Sequence, residues 1–402
     1  MKPLTNRFTS FALFFLFLPF NFLQATIRYV ARGKNPTTGQ PIILCGLEHW
    51  ANDVEAVEQA AYLTAITAKK PCTVLLEHNA LYSSFEAPAE KLNTERARLY
   101  PHYRYAYQGL SSLTQSLATE LVQHGVPLKR ATVKKKMKLC KRKEAPTSNQ
   151  VCPVALLVNS VSPASPSTFK SIDERENYMM ASSLLTAIQA FKGMELEELV
   201  PFLELDEDYL DSFSFADLVT EGHTTASQFK RLVLKYKSTN KDLASYLAGM
   251  SISLKQEIND LEVMLEQAKK FISFQRPDHN EEVTSKSSFL IFLDRLIKAM
   301  NAPCDDEEIQ IPELENIHFK LSSIFSYKMC LSLLPYFEGE AEPVADKPIF
   351  VVAGADHILI LQAVLEFMSF KFTPGCLENK TPQLLQAPAK CTKQLHAILQ
   401  GW

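Results

Sequence analysis

The stretch Ile349-Phe350-Val351-Val352-Ala353-Gly354-Ala355-Asp356-His357 predicts a buried strand that turns at a glycine into a helix. A short apolar run next to a glycine is typical of a strand buried in a parallel sheet. The stretch Ile42-Ile43-Leu44-Cys45-Gly46-Leu47-Glu48-His49 has the same order of features. Open α/β sheets bind their ligands just outside the carboxyl ends of their strands. We therefore expect His49 and His357 to face one crevice.

Apolar and amphipathic segments alternate along the first part of the chain, which favours a parallel sheet. Strands are predicted at Ile27–Val30, Ile42–Leu44, Thr73–Leu76, Val126–Ala131, Val154–Val158 and, near the end of the chain, Ile349–Ala353. Helices are predicted at Asp53–Lys69, at Leu110–His124, from about Ile172, and from about Ile358 to Phe370. The predicted fold class is α/β, with a mostly parallel central sheet flanked by helices.

The middle of the chain lacks strand signals and shows helical periodicity instead. Six apolar residues there repeat with alternating spacings of four and three, which is the pattern of a helix packed on a neighbouring helix; they are Leu254, Ile258, Leu261, Leu265, Ala268 and Ile272. The sequence therefore predicts a large all-helical section inserted into the α/β fold. The predicted domains are an α/β half at 26–190, the helical section at 191–345, and a returning strand and helix with an extended C-terminal tail at 346–402.

Residues 1–25 have the features of an export signal. Lys2 and Arg7 supply the positive start, and Phe11 to Leu23 is almost wholly apolar. That run is shorter than the roughly 20 residues of a membrane-spanning helix, so a cleaved signal peptide and a periplasmic or secreted product are predicted.

The eight cysteines would then occupy a compartment in which disulfides are permitted. The pairs that close the shortest loops are Cys140 with Cys152 and Cys376 with Cys391. No CxxC pair occurs, which disfavours a zinc ribbon or a thioredoxin-type redox site.

Basic residues are concentrated in one segment of a chain whose net charge is −3. Nine of the fifteen residues from Lys129 to Lys143 are Lys or Arg. One interpretation is a patch that binds an anionic surface such as lipid or another polyanion; the alternative is a solvated hairpin or loop. The net charge gives no general attraction to nucleic acid, and the segment has no interleaved aromatic residues on which bases could stack.

Four residues at predicted strand ends or helix starts are candidates for chemistry: His49, Glu77, Arg175 and His357. Neutral imidazole and carboxylate groups can hold zinc or manganese, with His49, Glu77 and His357 as the ligands. The same groups can activate water without a metal, and Arg175 can bind an anionic substrate group or stabilise an oxyanion. Structural alternatives remain open. Arg175 can form a local ion pair, and the two histidines can be hydrogen-bonded within the fold without a function. Glu48 and Asp356 can cap the helices that follow them.

Several common catalytic motifs are absent from the sequence. It has no GxSxG nucleophile elbow, P-loop, GxGxxG or HExxH. A standard α/β-hydrolase is therefore disfavoured.

At these residues the chain resembles a superfamily that includes the erythromycin esterases, the haem-binding lipoprotein ChaN and the TraB/GumN/Tiki proteins. The shared pattern is a G-x-x-H strand end, a strand that ends in Glu, an Arg-bearing helix and a late G-A-x-H strand end. The matching segments are Gly46–His49, Leu76-Glu77, Glu174-Arg175-Glu176-Asn177 and Gly354–His357. The chain departs from the pattern at Glu176, which separates Arg175 from Asn177. It also lacks a Glu directly after Gly46, which disfavours the esterase branch.

The resemblance implies a sheet of two related halves and a polar site formed by His49, Glu77, Arg175 and His357. It implies hydrolysis of an ester or a peptide, metal-dependent in some branches, and haem binding in the ChaN branch. The leading hypothesis is an exported hydrolase-like protein that acts on a small molecule or a peptide with a divalent metal, Mn or Zn. The alternatives are a protein that binds haem or another iron ligand, and a non-catalytic interaction protein.

Overall fold

The computed structural model describes residues 26–48, 53–77, 101–141, 153–162, 165–172, 211–275, 287–302, 313–338, 347–375 and 388–401, together with single residues between 181 and 200. The strands are β1 (Thr26–Lys34), β2 (Pro41–Glu48), β3 (Thr73–Leu76), β4 (Thr168–Ser171), β5 (Ile349–Gly354) and β6 (Lys371–Thr373). The helices are α1 (Asp53–Lys69), α2 (Pro101–His124), α3 (Arg130–Lys141), α4 (Pro153–Ser160), α5 (Phe215–Tyr236), α6 (Lys241–Gln275), α7 (Phe289–Asn301), α8 (Leu314–Glu338), α9 (Ala355–Phe367) and α10 (Pro388–Gln400).

The described strands form one six-stranded mixed sheet in the order β4-β3-β5-β2-β1-β6. The four strands from β4 to β2 run parallel to one another. β1 is antiparallel to both of its neighbours, β2 and β6. The predicted α/β class is confirmed, but the mostly parallel arrangement holds only in part. The connection between β1 and β2 is too short for the crossover that parallel strands require, so these two strands pair as a hairpin.

The chain divides into two compact units, one formed by Phe20–Glu174 with Leu333–Trp402 and the other containing Arg175–Ser332. The first is the α/β unit, in which a cluster of buried apolar residues joins one face of the sheet to α1, α2, α3, α4 and α10. Helix α9 packs against β2 and β5. The predicted domain boundaries stay predictions.

The helical unit contains α5, α6, α7 and the first part of α8. Ser214 begins α5 with a capping box, in which its hydroxyl accepts from the Asp217 backbone N–H while the Asp217 carboxylate accepts from the Ser214 N–H. All six members of the predicted apolar repeat lie on α6 and are buried, which confirms that this face of the helix is packed.

Two predicted strands are helices in the structure. Val154–Val158 lies within α4, which begins at Pro153, a residue favoured in the first helical position because it needs no backbone donor there. A short apolar run has the same composition in a buried helix as in a buried strand, so periodicity could not separate the two. Val126–Ala131 is a connection followed by the start of α3, since Val133 and Met137 supply a helical spacing of buried residues.

The extended tail predicted for the final 30 residues is also wrong in part, because Pro388–Gln400 forms α10. The helix predicted at Ile358–Phe370 begins at Ala355 and ends at Phe367. The basic segment predicted as a hairpin or loop is the helix α3 over most of its length.

Some predictions fall on residues that the structure does not describe. These residues include 1–25, Cys152 and Cys376, so the signal peptide and both disulfide pairings stay predictions. The helix start predicted near Ile172 also continues into such residues. Among the described helices, none is both long and apolar enough to cross a membrane.

Candidate functional site

The carboxyl ends of four parallel strands form one continuous edge of the sheet. Leu76 at the end of β3 is paired with Ser171 of β4 on one side and with Val352 of β5 on the other. Gly354 at the end of β5 is paired with Leu47 of β2. The segments that follow these strands are those in which the sequence predicted the site, so the strand order supports that placement.

Glu77 and His357 meet at this edge. Glu77 directly follows β3, and its backbone N–H donates to the carbonyl oxygen of Val352 at 2.8 Å, which extends the ladder by one residue. His357 lies in the first turn of α9. The Nε2 atom of His357 is 3.6 Å from Oε1 of Glu77, and both side chains are close to nine-tenths buried, at 11% and 12% exposure.

Gly354 holds the carboxylate in place. Its backbone N–H donates to Oε2 of Glu77 at 2.5 Å, which leaves Oε1 directed toward His357. A Cβ atom at this position would lie 3.1 Å from Cδ2 of His357 and 3.4 Å from Oε2 of Glu77. The glycine therefore allows the backbone to approach both side chains, and its amide fixes the orientation of one of them.

The separation of 3.6 Å between the two donor atoms fits two arrangements. It is longer than a direct N–H···O hydrogen bond. Two ligand atoms bound at 2.0–2.1 Å to one tetrahedral zinc ion are roughly 3.4 Å apart. The same distance lies within the range of a histidine–carboxylate ion pair, so it fits a direct pair as well as two ligands of one divalent ion.

The glycine of the first motif is also close-packed. A Cβ atom on Gly46 would lie 3.0 Å from the backbone Cα of Ala355, the first residue of α9. Gly46 is paired with Ala353 and Leu47 with Gly354, so the glycines of the two motifs lie on neighbouring strands with an offset of one residue. Glu48 ends β2 in an ion pair with Arg28 at 3.2 Å, and Asp356 is exposed in the first turn of α9.

Two of the four predicted site residues are thus brought together, Glu77 and His357. The other two, His49 and Arg175, lie outside the described residues. Within the part of the chain that the structure describes, no group of three or more His, Cys, Asp or Glu side chains could hold a metal ion. The third predicted metal ligand is His49.

The buried thiols do not provide a nucleophile for this site. Among the described cysteines, Cys45, Cys72 and Cys330 are buried and form no disulfide. Burial raises the pKa of Cys72 to about 11 and that of Cys330 to about 12. Since the thiolate is the reactive form, these groups are inert at neutral pH.

Comparison with protein-family models, with curated proteins and with solved structures found no match. The superfamily resemblance therefore stays a prediction.

The sequence did not predict the contact of the Gly354 amide with Glu77, because that contact depends on β3 and β5 being neighbours. The sequence feature that could have indicated this contact is Gly354 at the end of one predicted strand, together with Glu77 just past the end of another.

Proposed function

We propose that this chain is an exported hydrolase with a divalent-metal centre at the carboxyl ends of its parallel strands. Glu77 and His357 are two of its protein ligands, His49 is the third, and Arg175 binds the substrate. The observation that carries the proposal is the 3.6 Å separation of the His357 and Glu77 donor atoms, both largely buried at the edge where the motifs meet.

The donor types fit such a centre. One carboxylate and two imidazoles form a common set for catalytic zinc, which keeps a fourth position for water. Manganese is the alternative ion for the same mixture of donors. A bound ion of this kind supplies hydroxide at neutral pH and polarises a carbonyl group. The Gly354 amide supports the set from behind, because it holds the Glu77 oxygen that does not face His357.

The proposal includes His49 and Arg175 because each follows the end of a parallel strand closely in the sequence. His49 directly follows Glu48, the last residue of β2, which is the strand paired with β5. Arg175 follows Ser171, the last residue of β4, by four residues, and such a segment spans up to about 14 Å when extended. The placement of Gly46 and Gly354 at the ends of two neighbouring parallel strands also supports a sheet of two related halves, which is part of the proposal.

The substrate proposed is a small ester or a peptide. Arg175 carries a fixed positive charge and can bind a carboxylate of the substrate, or the oxyanion that forms when water attacks its carbonyl. Glu77 and His357 fix the position of the attacking water, and their burial limits competing water at the reacting carbon.

The test is a zinc and manganese titration of the purified chain, followed by assays on ester and peptide panels. Wild type should bind about one equivalent of metal, and Glu77→Gln and His357→Ala should each weaken that binding by at least roughly 10-fold. His49→Ala should have the same effect, whereas Arg175→Ala should retain metal and lose hydrolysis. The exposed His124 is the matched control, and His124→Ala should behave as wild type.

Metal binding that is unchanged in Glu77→Gln and His357→Ala would refute the centre. Metal binding that depends on these residues, without hydrolysis of any substrate in the panels, would leave a binding protein and refute the enzyme. The haem alternative stays a prediction from the sequence. A haem titration of the same samples tests it, because histidine ligation shifts the haem absorbance and His357→Ala would abolish that shift.

A further inference from the structure

Helix α3 carries an unusual concentration of positive charge. Its sequence, RATVKKKMKLCK, has six basic residues among twelve and no acidic residue. Like charges one turn apart destabilise an isolated helix, so α3 depends on its tertiary contacts. Those contacts are Val133 and Met137, which are buried against the α/β core.

The basic residues at the two flanks of the buried face are neutralised within the chain. Arg130 forms an ion pair with Glu55 of α1 at 2.5 Å. Lys136 forms an ion pair with Glu120 of α2. These two pairs neutralise the basic residues next to the buried face, whereas Val133 and Met137 determine which face of α3 packs inward.

The outward face has a different character. Lys134, Lys135 and Lys138 are all exposed, and in the described part of the chain none of the three forms an ion pair. Leu139 follows Lys135 by one helical turn and is 52% exposed. The side chain of Leu139 therefore lies in solvent beside three lysines, and no acidic residue in the described part of the chain forms an ion pair with them.

We propose that this face of α3, formed by Lys134, Lys135, Lys138 and Leu139, binds the surface of a bilayer that contains anionic lipid. Clustered lysines are attracted to the negative potential of such a surface, and each contributes on the order of a fivefold gain in binding. Leu139 is positioned to enter the interface between headgroups and acyl chains, as apolar residues of interfacial helices do.

A bilayer fits this face better than a nucleic acid does. The face presents an apolar side chain and no aromatic ring, whereas single-stranded nucleic acids are held by stacking on aromatic rings. The chain as a whole is negatively charged, at −3, so an anionic surface attracts this face and repels much of the rest. Attraction of this kind orients the chain as well as binding it.

The test is co-sedimentation of the full chain with vesicles of phosphatidylcholine alone and with vesicles that also contain phosphatidylglycerol. Wild type should bind the anionic vesicles at least 10-fold more tightly than the neutral vesicles, and added salt should weaken this binding. The variant Lys134→Glu/Lys135→Glu/Lys138→Glu should lose at least roughly 100-fold in binding, because it removes the attraction of three lysines and adds three negative charges. Leu139→Ser should lose several-fold at every salt concentration, because it removes insertion rather than charge.

The matched control is Lys255→Glu/Lys270→Glu/Lys393→Glu, which makes the same change in net charge at three other exposed lysines. It should bind as wild type does, and circular dichroism should show that both triple variants are folded. Equal binding of wild type to both kinds of vesicle, or an equal loss in the control variant, would overturn the proposal. Binding to polyphosphate or single-stranded DNA without binding to vesicles would also overturn it and assign the face to a soluble polyanion.

Discussion

At the scale of single residues, Gly354 determines the geometry of the Glu77–His357 pair. Its φ of −52° and ψ of 142° are accessible to any residue, so it is not required for backbone conformation. Its role is one of space, because a Cβ atom would lie 3.1 Å from the His357 ring and the ring would have to move by a few tenths of an ångström. We expect Gly354→Ala to weaken zinc binding by about 10-fold or more through displacement of that ring, with little loss of thermal stability. A metal titration and a thermal melt measure the two effects.

Gly249 provides the control for this substitution. It lies on α6, and a Cβ atom there would meet nothing within 4 Å. Gly249→Ala should leave metal binding unchanged and raise stability by about 0.5–1 kcal/mol, because alanine favours the helix. If Gly354→Ala bound metal as tightly as wild type, then this glycine would not position the ligands.

A second residue, Glu58 of α1, ties the stability of the chain to pH. Burial raises the pKa of this carboxyl from 4.5 to about 7, although nearby Arg130 lowers it. Between these two values the folded chain binds a proton that the unfolded chain has lost, so stability falls as the pH rises through this window. We expect Glu58→Gln to remove that fall and to stabilise the chain above pH 7 by roughly 1–2 kcal/mol, after allowance for solvent screening.

Thermal unfolding across this pH range measures the effect of Glu58→Gln. Near pH 4.5 the variant and wild type should be equally stable, since the carboxyl is then protonated in the folded state. The exposed Glu197 is the control, and Glu197→Gln should leave the pH profile unchanged. An unaltered profile in Glu58→Gln would mean that the carboxyl does not titrate in this window.

At the scale of elements, the side chain of Gln59 substitutes for a neighbouring strand. It lies on α1 and is fully buried. Its Nε2 donates to the carbonyl oxygen of Ile27 at 2.9 Å, and its Oε1 accepts from the Ile27 backbone N–H at 2.6 Å. The short strand β6 is paired with β1 only from Arg32 onward, so the amide of Gln59 satisfies the backbone of β1 at a point that β6 does not reach.

We expect Gln59→Leu to destabilise the chain by roughly 2–4 kcal/mol, because two buried backbone groups would lose their hydrogen bonds. Denaturant unfolding measures this loss. The exposed Gln115 on α2 is the control, and Gln115→Leu should change stability by less than about 0.5 kcal/mol. Equal stability of the two variants would show that water replaces the amide of Gln59.

The sequence predicted two elements of the α/β unit without error. Helix Asp53–Lys69 and strand Thr73–Leu76 were both predicted with the bounds that the structure has. The first carries small apolar residues at helical spacing, and the second is a short apolar run that begins with the β-branched residues Thr73 and Val74. Val154–Val158 was predicted wrongly because its burial among helices depends on residues distant in the sequence. Glu77 and His357 could be placed at strand ends, but their contact required the order of the strands.

At the scale of the whole molecule, the core of the α/β unit is formed by both ends of the described chain. Helix α10 packs against β1 and α1, and Leu395 is fully buried within the same apolar cluster as Ile27. The pairing of such distant segments imposes a loop-closure cost that the buried contacts must offset. We expect Leu395→Ala to destabilise the chain by about 2–5 kcal/mol, as for other buried leucines.

The control is Val122→Ala in the same unit, where the side chain is 43% exposed. Its stability should stay within about 0.5 kcal/mol of wild type. Denaturant unfolding of the two variants decides the point, since a small loss in Leu395→Ala would mean that the α/β core is complete without its C-terminal helix.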